Sequence, residues 1–359
     1  VPEEADLLLV ASPEEMDEKQ LYSIDQFLMR GGTVIIATGT RDVMINQGLN
    51  AAKHKSGLEE WLAHNGLSME DDFVMDRQNS AFPVPIQRQL GGFVVNETKM
   101  IDYPYFVDIR ENAMDRESGI TAGVGQVSVS WAVPITVDPE KNKDRRTIEL
   151  LKSSPNSWKS SSIDILPDFE RYGEKGFQEG EEMKSQLLAV VVEGRFNSFF
   201  TGKKLPSIQE KSEAAKKPDY DPATSQGPVE EEKEKPTVTR LIERSPESAR
   251  IILFSSNMFL TDTSLQLASG AMRTKYENPL QLVENCIDWS LEDRGLLSIR
   301  GRGHFSRPLV SLDEGNQMFW EYLNYAMVLL GLGLIWTCRK VSGKRAITRY
   351  NNILTGGRA

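Results

Sequence analysis

The residue types that could carry chemistry here are few. The cysteines are Cys286 and Cys338, and the histidines are His54, His64 and His304. A hydrolase of the amidotransferase kind sets a nucleophile in a tight strand-to-helix elbow, with a histidine and a carboxylate in reach. Neither cysteine has that setting. Cys286 falls on the apolar side of a helical stretch, and Cys338 closes a long apolar run. Serines at strand ends remain, and Ser12 and Ser256 are nucleophile candidates wherever a histidine lies within hydrogen-bonding distance. His54 sits in the polar run NAAKHKSG, and His64 lies near a helix C-terminus, where the helix dipole favours a cation. Three scattered histidines do not make a zinc site. The acid pairs Asp71 with Asp72 and Glu181 with Glu182 read as solvated surface.

Phosphate chemistry needs GxGxxG or GxxxxGK[ST] directly after a strand, so that backbone amides cradle the anion. Thr38, Gly39 and Thr40 follow an apolar run but continue into Arg41, Asp42 and Val43 without a second glycine. Gly301, Arg302 and Gly303 form a lone GxG that a surface turn explains. No cofactor is therefore expected. What remains is position: ligands of open α/β sheets bind outside the carboxyl ends of the strands. Ser12, Thr38, Gly39, Ser256 and Asn257 stand at such ends and form a candidate groove rim. Helix caps and turns use the same short polar residues.

The elements that place these ends are legible. Leu7, Leu8, Leu9 and Val10 form a continuous apolar run, as in a strand covered on both faces. Ser12, Pro13 and Glu15 supply an N-cap, a first-turn proline and a capping-box carboxylate. Leu21, Ile24, Phe27 and Leu28 mark one helix face, Gly31 and Gly32 end that helix, and TVIIA at 33–37 is a second buried strand. Strand, helix, strand at this spacing is a βαβ unit with parallel strands. A second helix is expected over 57–65, ending at Gly66, and a short strand over 71–76. Residues 88–137 lack a helical period and are rich in β-branched and aromatic residues, predicting hairpins or an irregular β extension. LLAVVV at 187–192 and IILF at 251–254 are two more buried strands, followed by a helix from Asn278 with Leu280, Val283, Ile287 and Leu291 on one face. The fold class predicted is α/β, a mostly parallel sheet with flanking helices, flavodoxin-like or amidotransferase-like. One C-terminal transmembrane helix completes it.

That last element is hidden by the averages. The 359 residues are 39% hydrophobic with a net charge of −10, and the mean hydropathy is −0.39. These figures describe an acidic soluble protein, exclude a polytopic membrane protein and argue against a nucleic-acid surface, which needs a basic excess. Yet 319–338 reads FWEYLNYAMVLLGLGLIWTC, and about 20 helical residues span the hydrocarbon of a bilayer. Trp320 and Tyr325 would lie at one interface and Trp336 at the other, and Gly331 with Gly333 would admit a neighbouring helix. From Arg339 and Lys340 onward the tail carries +6 and no acid, leaving −16 ahead of it. By the positive-inside rule the tail is cytoplasmic and the large N-terminal part extracytoplasmic.

Between the strands at 187–192 and 251–254, residues 202–240 are dominated by Lys, Glu, Pro and Ser and bury too little to offset ordering entropy. The expected organisation is an extracytoplasmic α/β domain in two parts, 1–201 and 241–317, interrupted by a disordered charged loop at 202–240. A transmembrane helix at 318–338 and a basic cytoplasmic tail at 339–359 follow. The chain opens on Val1 rather than Met, as a fragment or processed form would.

Several phrases, in order, carry a resemblance: LYSIDQFLMRGGTVIIATG (21–39), GLEEWLAHNGLSMEDDFVMD (57–76), RTIELLKSSPNSW (146–158), ARIILFSSNMFLTD (249–262) and NPLQLVENCIDWSLEDRGLLSIRGRGHFSRPL (278–309), followed by one span. Together they resemble the GldG-type auxiliary proteins of ABC transporters, a family associated with bacterial gliding motility. The similarity covers about residues 5–341. It implies a periplasmic α/β domain distantly similar to class I glutamine amidotransferases and to an intraflagellar-transport domain, without a catalytic triad. It also implies an inner-membrane anchor beside an ABC permease and its cytoplasmic ATPase. It supplies no site residues. Family members usually begin with an N-terminal span and further residues before the first strand, so the first part of the domain is expected to be missing. They often carry Gly-Pro where this chain has Ser12-Pro13, which alters the groove rim.

The function so expected is a membrane-anchored, non-enzymatic auxiliary or substrate-binding-like subunit of an ABC transporter, its partners the permease, the ATPase and the lipid bilayer. Its ligand is unassigned. The competing expectations are a membrane-tethered hydrolase using Ser12 or Ser256, and a structural scaffold of a surface machine.

Overall fold

The computed structural model describes residues 2, 5–45, 49–90, 93–203, 205–206, 241–272, 274–291 and 314–355. The chain packs as two units, Val1–Phe305 and Ser306–Ala359.

In the first unit the predicted βαβ motif is present. Strand β1 (Leu7–Ala11) is followed by helix α1 (Glu18–Met29) and strand β2 (Thr33–Ala37), and β1 pairs parallel with β2 in register Leu7 to Thr33. The helix starts later than Ser12 and Glu15 suggest. Asp17 is the N-cap: its carboxylate accepts from Gln20 N at 2.8 Å while Gln20 Oε1 accepts from Asp17 N at 2.9 Å, a reciprocal capping box. Ser12 and Glu15 instead take left-handed backbone angles, φ 46° and 42°, in the turn between strand and helix. That turn lies against residues 55–56 through Glu15 N to Lys55 O and Met16 N to Ser56 O.

A hairpin follows, β3 (Arg41–Met44) with β4 (Asn50–Lys53), then α2 (Glu59–His64), β5 (Leu67–Met69) and β6 (Phe73–Asp76). The β extension is larger than predicted. It runs through β7 (Asn79–Leu90), β8 (Phe93–Arg110), β9 (Gln126–Ser130), β10 (Ile135–Val137), β11 (Arg146–Lys152) and β12 (Ser157–Ser160). After a single-turn α3 (Phe169–Tyr172) come β13 (Leu187–Glu193), β14 (Arg250–Phe254), α4 (Asp262–Met272) and α5 (Asn278–Leu291). The charged loop expected at 202–240 lies almost wholly outside the described residues.

The main sheet has the order β1-β2-β14-β13-β11. Only β1 with β2 and β2 with β14 are parallel; β14 with β13 and β13 with β11 are antiparallel. The smaller pairings, β3 with β4, β5 with β10, β6 with β12, and β7 with β8 and β9, are antiparallel throughout. The expectation of a mostly parallel sheet is thus corrected to a mixed α/β fold with mostly antiparallel strands. An apolar run reports burial on both faces and is blind to direction, so LLAVVV reads the same either way.

Alternate residues of the central strands feed two cores. On one face Val34, Ile36, Val190, Val192 and Leu253 meet Phe27 and Leu28 of α1 and Trp61 and Leu62 of α2. On the other, Ile35, Val191, Ile252 and Phe254 meet β8, β9 and α5. Helix α5 buries Leu282, Val283, Cys286 and Trp289, while Leu280 and Leu291, two of the four residues assigned to its inner face, are exposed. That buried face packs into the core, and the Arg250 guanidinium lies 4.6 Å from the Trp289 ring centroid and donates to Ser290 O at 3.1 Å. A third, aromatic core joins Phe73, Tyr103, Tyr105, Phe106, Trp131 and Phe177 within the β extension. Fully burying a large apolar side chain stabilises by roughly 1.5–3 kcal/mol, so these clusters hold the extension as part of the domain rather than as loose hairpins.

The described residues of the second unit form one helix, α6 (Glu314–Thr355), of 42 residues. It continues through Arg339, Lys340, Lys344, Arg345 and Arg349 without a break.

Candidate functional site

The candidate rim residues do converge at the carboxyl ends of β1, β2 and β14. Asn257 is the centre of the group. Its Oδ1 accepts from Gly39 N at 2.9 Å and Thr38 Oγ1 at 3.2 Å, and its Nδ2 donates to Arg41 O at 2.9 Å and Gly39 O at 3.3 Å. Ser12 Oγ donates to Asn257 O. Ser256 Oγ donates to Ser130 O at 2.6 Å and accepts from Met258 N at 3.1 Å. Thr38 and Ser256 are fully buried and Asn257 nearly so. The five residues therefore spend their polar atoms on one another and on nearby backbone. They tie β2, the β3 strand and the start of the segment after β14 together, as buried polar groups require.

The histidines take backbone partners. His54 Nε2 lies 2.8 Å from Pro13 O and His64 Nε2 3.0 Å from Asn197 O; His304 lies outside the described residues. Cys286 is fully buried, which pushes its thiol well above the ordinary range and away from the reactive thiolate. Among the described residues no three His, Cys, Asp or Glu side chains gather as a metal site. Asp71 pairs with Lys53 at 2.8 Å, and that contact lowers its pKa.

Open space lies elsewhere, between β10 and β11. A groove of about 750 Å³ is bounded by Val137, Glu149, Lys152, Trp158, Lys184 and Leu187. A second, of about 550 Å³, continues past Arg146 and Thr147 toward Asp115 and Asn142. Lys159 to Glu70 at 2.6 Å and Lys152 to Glu149 neutralise much of the first groove's lining. Glu181 and Glu182 line the same groove, and the buried Trp158 Nε1 has no hydrogen-bond partner among the described residues. No local sequence pattern marks this groove, because its walls come from β10, β11, β12 and the segment before β13.

The remaining candidates lie on α6. Within it, Met318–Asn351 is long and apolar enough to cross a membrane. Leu329 and Leu330 are 69% and 68% exposed, and a Cβ added at Gly331 or Gly333 would touch nothing. Trp320 packs edge-on to Phe319, Tyr325 OH donates to Glu321 at 2.9 Å, and Lys340 Nζ stands 4.6 Å over the Trp336 ring. Arg339 is exposed beside Lys340.

A family model described as ABC-type uncharacterized transport system matches residues 1–286, most of the chain. The chain belongs to this family. Membership agrees with the resemblance carried by the sequence phrases. An uncharacterized protein of Borreliella burgdorferi (strain ATCC 35210 / DSM 4680 / CIP 102532 / B31) is 20% identical over 194 residues, 53% of this chain and 36% of that one. The chain thus spans about a third of the length of that curated relative. A solved structure, the mmIFT52 N-terminal domain, is 8% identical with a TM-score of 0.36, covering 80% of this chain and 78% of that one. At that score the likeness carries no argument.

Proposed function

We propose that this member of the ABC-type transport system family is a membrane-anchored, non-catalytic auxiliary subunit. Its α/β unit is extracytoplasmic and substrate-binding-like, α6 packs beside the permease in the inner membrane, and the basic end faces the cytoplasmic ATPase. The observation that carries this reading is α6: a bilayer-length apolar stretch, exposed all round in its own unit, with one-signed charge after it. Leu and Ile side chains exposed in such numbers are stable only in lipid or against another apolar helix.

A non-catalytic role is supported by the strand ends. Ser256 and Ser12, the two candidate nucleophiles, donate their hydroxyls to backbone carbonyls, and the Ser256 hydroxyl is sealed from solvent. The β11 groove is the ligand or partner surface in this reading, and the grooved unit is a scaffold as well as a binder. The gliding-motility setting belongs to the same proposal and rests on the resemblance to GldG-type proteins alone. The test is whether transporter components accompany the chain through detergent purification.

A further inference from the structure

Past the span, α6 changes character while remaining one helix. From Met327 to Trp336 it is apolar on every side, apart from its glycines, whereas Gly343, Ala346, Ile347 and Tyr350 recur at i, i+3, i+4 and i+7, a single stripe. Lys340 and Lys344 stand one turn apart on one margin of that stripe, Arg349 flanks the other, and Arg345, one turn before Arg349, lies on the face away from the stripe. Ile347 is 63% exposed and Tyr350 71%. A narrow apolar stripe with cations on both margins is the pattern of a helix lying in a lipid–water interface, its apolar side toward the acyl chains and its cations among the headgroups.

Length and local chemistry agree. A helix of 42 residues is about 63 Å long, and a bilayer with its headgroups is about 40–45 Å thick. A substantial part of α6 therefore lies beyond the hydrocarbon. Ser342 and Gly343 stand at the junction, and Gly/Ser pairs are among the few places where helices kink sharply. A Cβ at Gly343 would meet nothing, so no close neighbour accounts for that glycine.

We propose that residues 343–350 form an interfacial helix that binds the anionic phospholipid surface of the leaflet where the span ends, after a bend at Ser342 and Gly343. The inference rests on the membrane-anchored reading. Charge complementarity and continuity with the span select lipid as the occupant. Arg339 to Arg345 lie within two turns of the span's end, about 10 Å, which is comparable to the screening length at physiological salt. The anionic surface is therefore within electrostatic reach before any protein partner arrives. Docked this way, the stripe fixes the rotation of the span about its own axis, and so which face it turns to its neighbours.

The full chain carrying Cys338→Ser and Ala346→Cys, labelled at position 346 with an environment-sensitive fluorophore, tests this; Cys286 is buried and stays unlabelled. It is reconstituted into phosphatidylcholine vesicles and into phosphatidylcholine–phosphatidylglycerol vesicles. The expected result is blue-shifted emission in the mixed vesicles only, with several-fold stronger quenching by spin-labelled lipid. Both signals should be abolished by high salt and by Lys344→Gln with Arg345→Gln and Arg349→Gln. Equal emission in the two vesicles overturns the inference, as does a shift that appears only on adding the transporter's ATPase, which would make the occupant a protein groove. Flotation of the same sample separates the two readings. A chain that floats with both vesicles without the shift refutes the interfacial helix alone, and one that floats with neither refutes the anchor and the interfacial helix together.

Discussion

Asn257 Oδ1 lies 2.9 Å from Gly39 N, and the same side chain's Nδ2 lies 2.9 Å from Arg41 O. One amide thus satisfies a donor and an acceptor of the chain leaving β2, in a place where water has no access. Removing it orphans both, at about 1–3 kcal/mol for each unsatisfied buried group. Asn257→Ala should therefore lower unfolding free energy by about 2–4 kcal/mol in denaturant titrations. A change below about 0.5 kcal/mol would show that these strand ends are solvated, as a ligand rim would be.

Asp25 makes a comparable junction on the other face. Its buried carboxylate accepts from Trp61 Nε1 at 3.1 Å, Ser198 Oγ at 2.6 Å and Phe199 N at 3.0 Å, joining α1, α2 and the chain after β13. Asp25→Ala should cost about 3 kcal/mol or more, by the same reckoning of orphaned donors. Ser198→Ala, which removes one donor to Asp25 and leaves Phe200 N without its acceptor at 3.1 Å, should cost about 2 kcal/mol. Parallel thermal melts check the ranking.

Asp76 predicts a pH effect of unusual sign. Burial raises its pKa, although Ser154 N and Ser154 Oγ each donate to it at 2.6 Å and Gln78 N at 2.9 Å, and Asp108 nearby raises it further. The folded pKa then exceeds the unfolded one, so the folded state binds the proton more tightly. Stability from this group grows as pH falls through the raised value and is complete below about 3.9, the unfolded reference. Asp71, lowered by Lys53, works the other way and loses its contribution on acidification. Asp76→Asn removes the titration, and its donor amide clashes with the donors it faces. The stability gap between wild type and Asp76→Asn should widen from pH 7 toward pH 4; a gap independent of pH would refute the assignment.

Gly57 tests the turn before α1. It has φ +82°, and a Cβ there would lie 2.7 Å from both Met16 N and Met16 O. Gly57→Ala should destabilise by more than the roughly 1 kcal/mol that αL strain alone brings, because the backbone of residues 15–16 must also move. Circular dichroism melts of Gly57→Ala beside Gly202→Ala, where φ is +76° and a Cβ would meet no atom of the described residues within 4 Å, separate the two contributions.

How much of this was legible varies by element. The β1–α1–β2 unit was readable because Leu21, Ile24, Phe27 and Leu28 keep a helical period between two apolar runs, and Gly31 and Gly32 mark the stop. Direction in β13 and β11 was not, since Val190 and Val191 fill opposite faces equally well whichever way the strand points. The α5 face was misjudged because Leu280 and Leu291 look like core residues, while the helix buries Leu282, Val283, Cys286 and Trp289 instead. At the strand ends, Ser12, Thr38, Gly39, Ser256 and Asn257 lie together. Their inward hydrogen bonds depend on β3 and on Ser130, distant in sequence. The groove beside β11 had no sequence signal, because its lining is gathered from β10, β11, β12 and the chain before β13, which are distant in sequence.

The central claim, an anchored auxiliary subunit of an ABC transporter, is tested most directly by gentle detergent purification of the full chain from its native membrane, with mass spectrometry of what accompanies it. The account predicts a permease and an ATPase in reproducible proportion to the chain, lost when residues 318–359 are removed. Recovery of the chain from the membrane with neither subunit would contradict it.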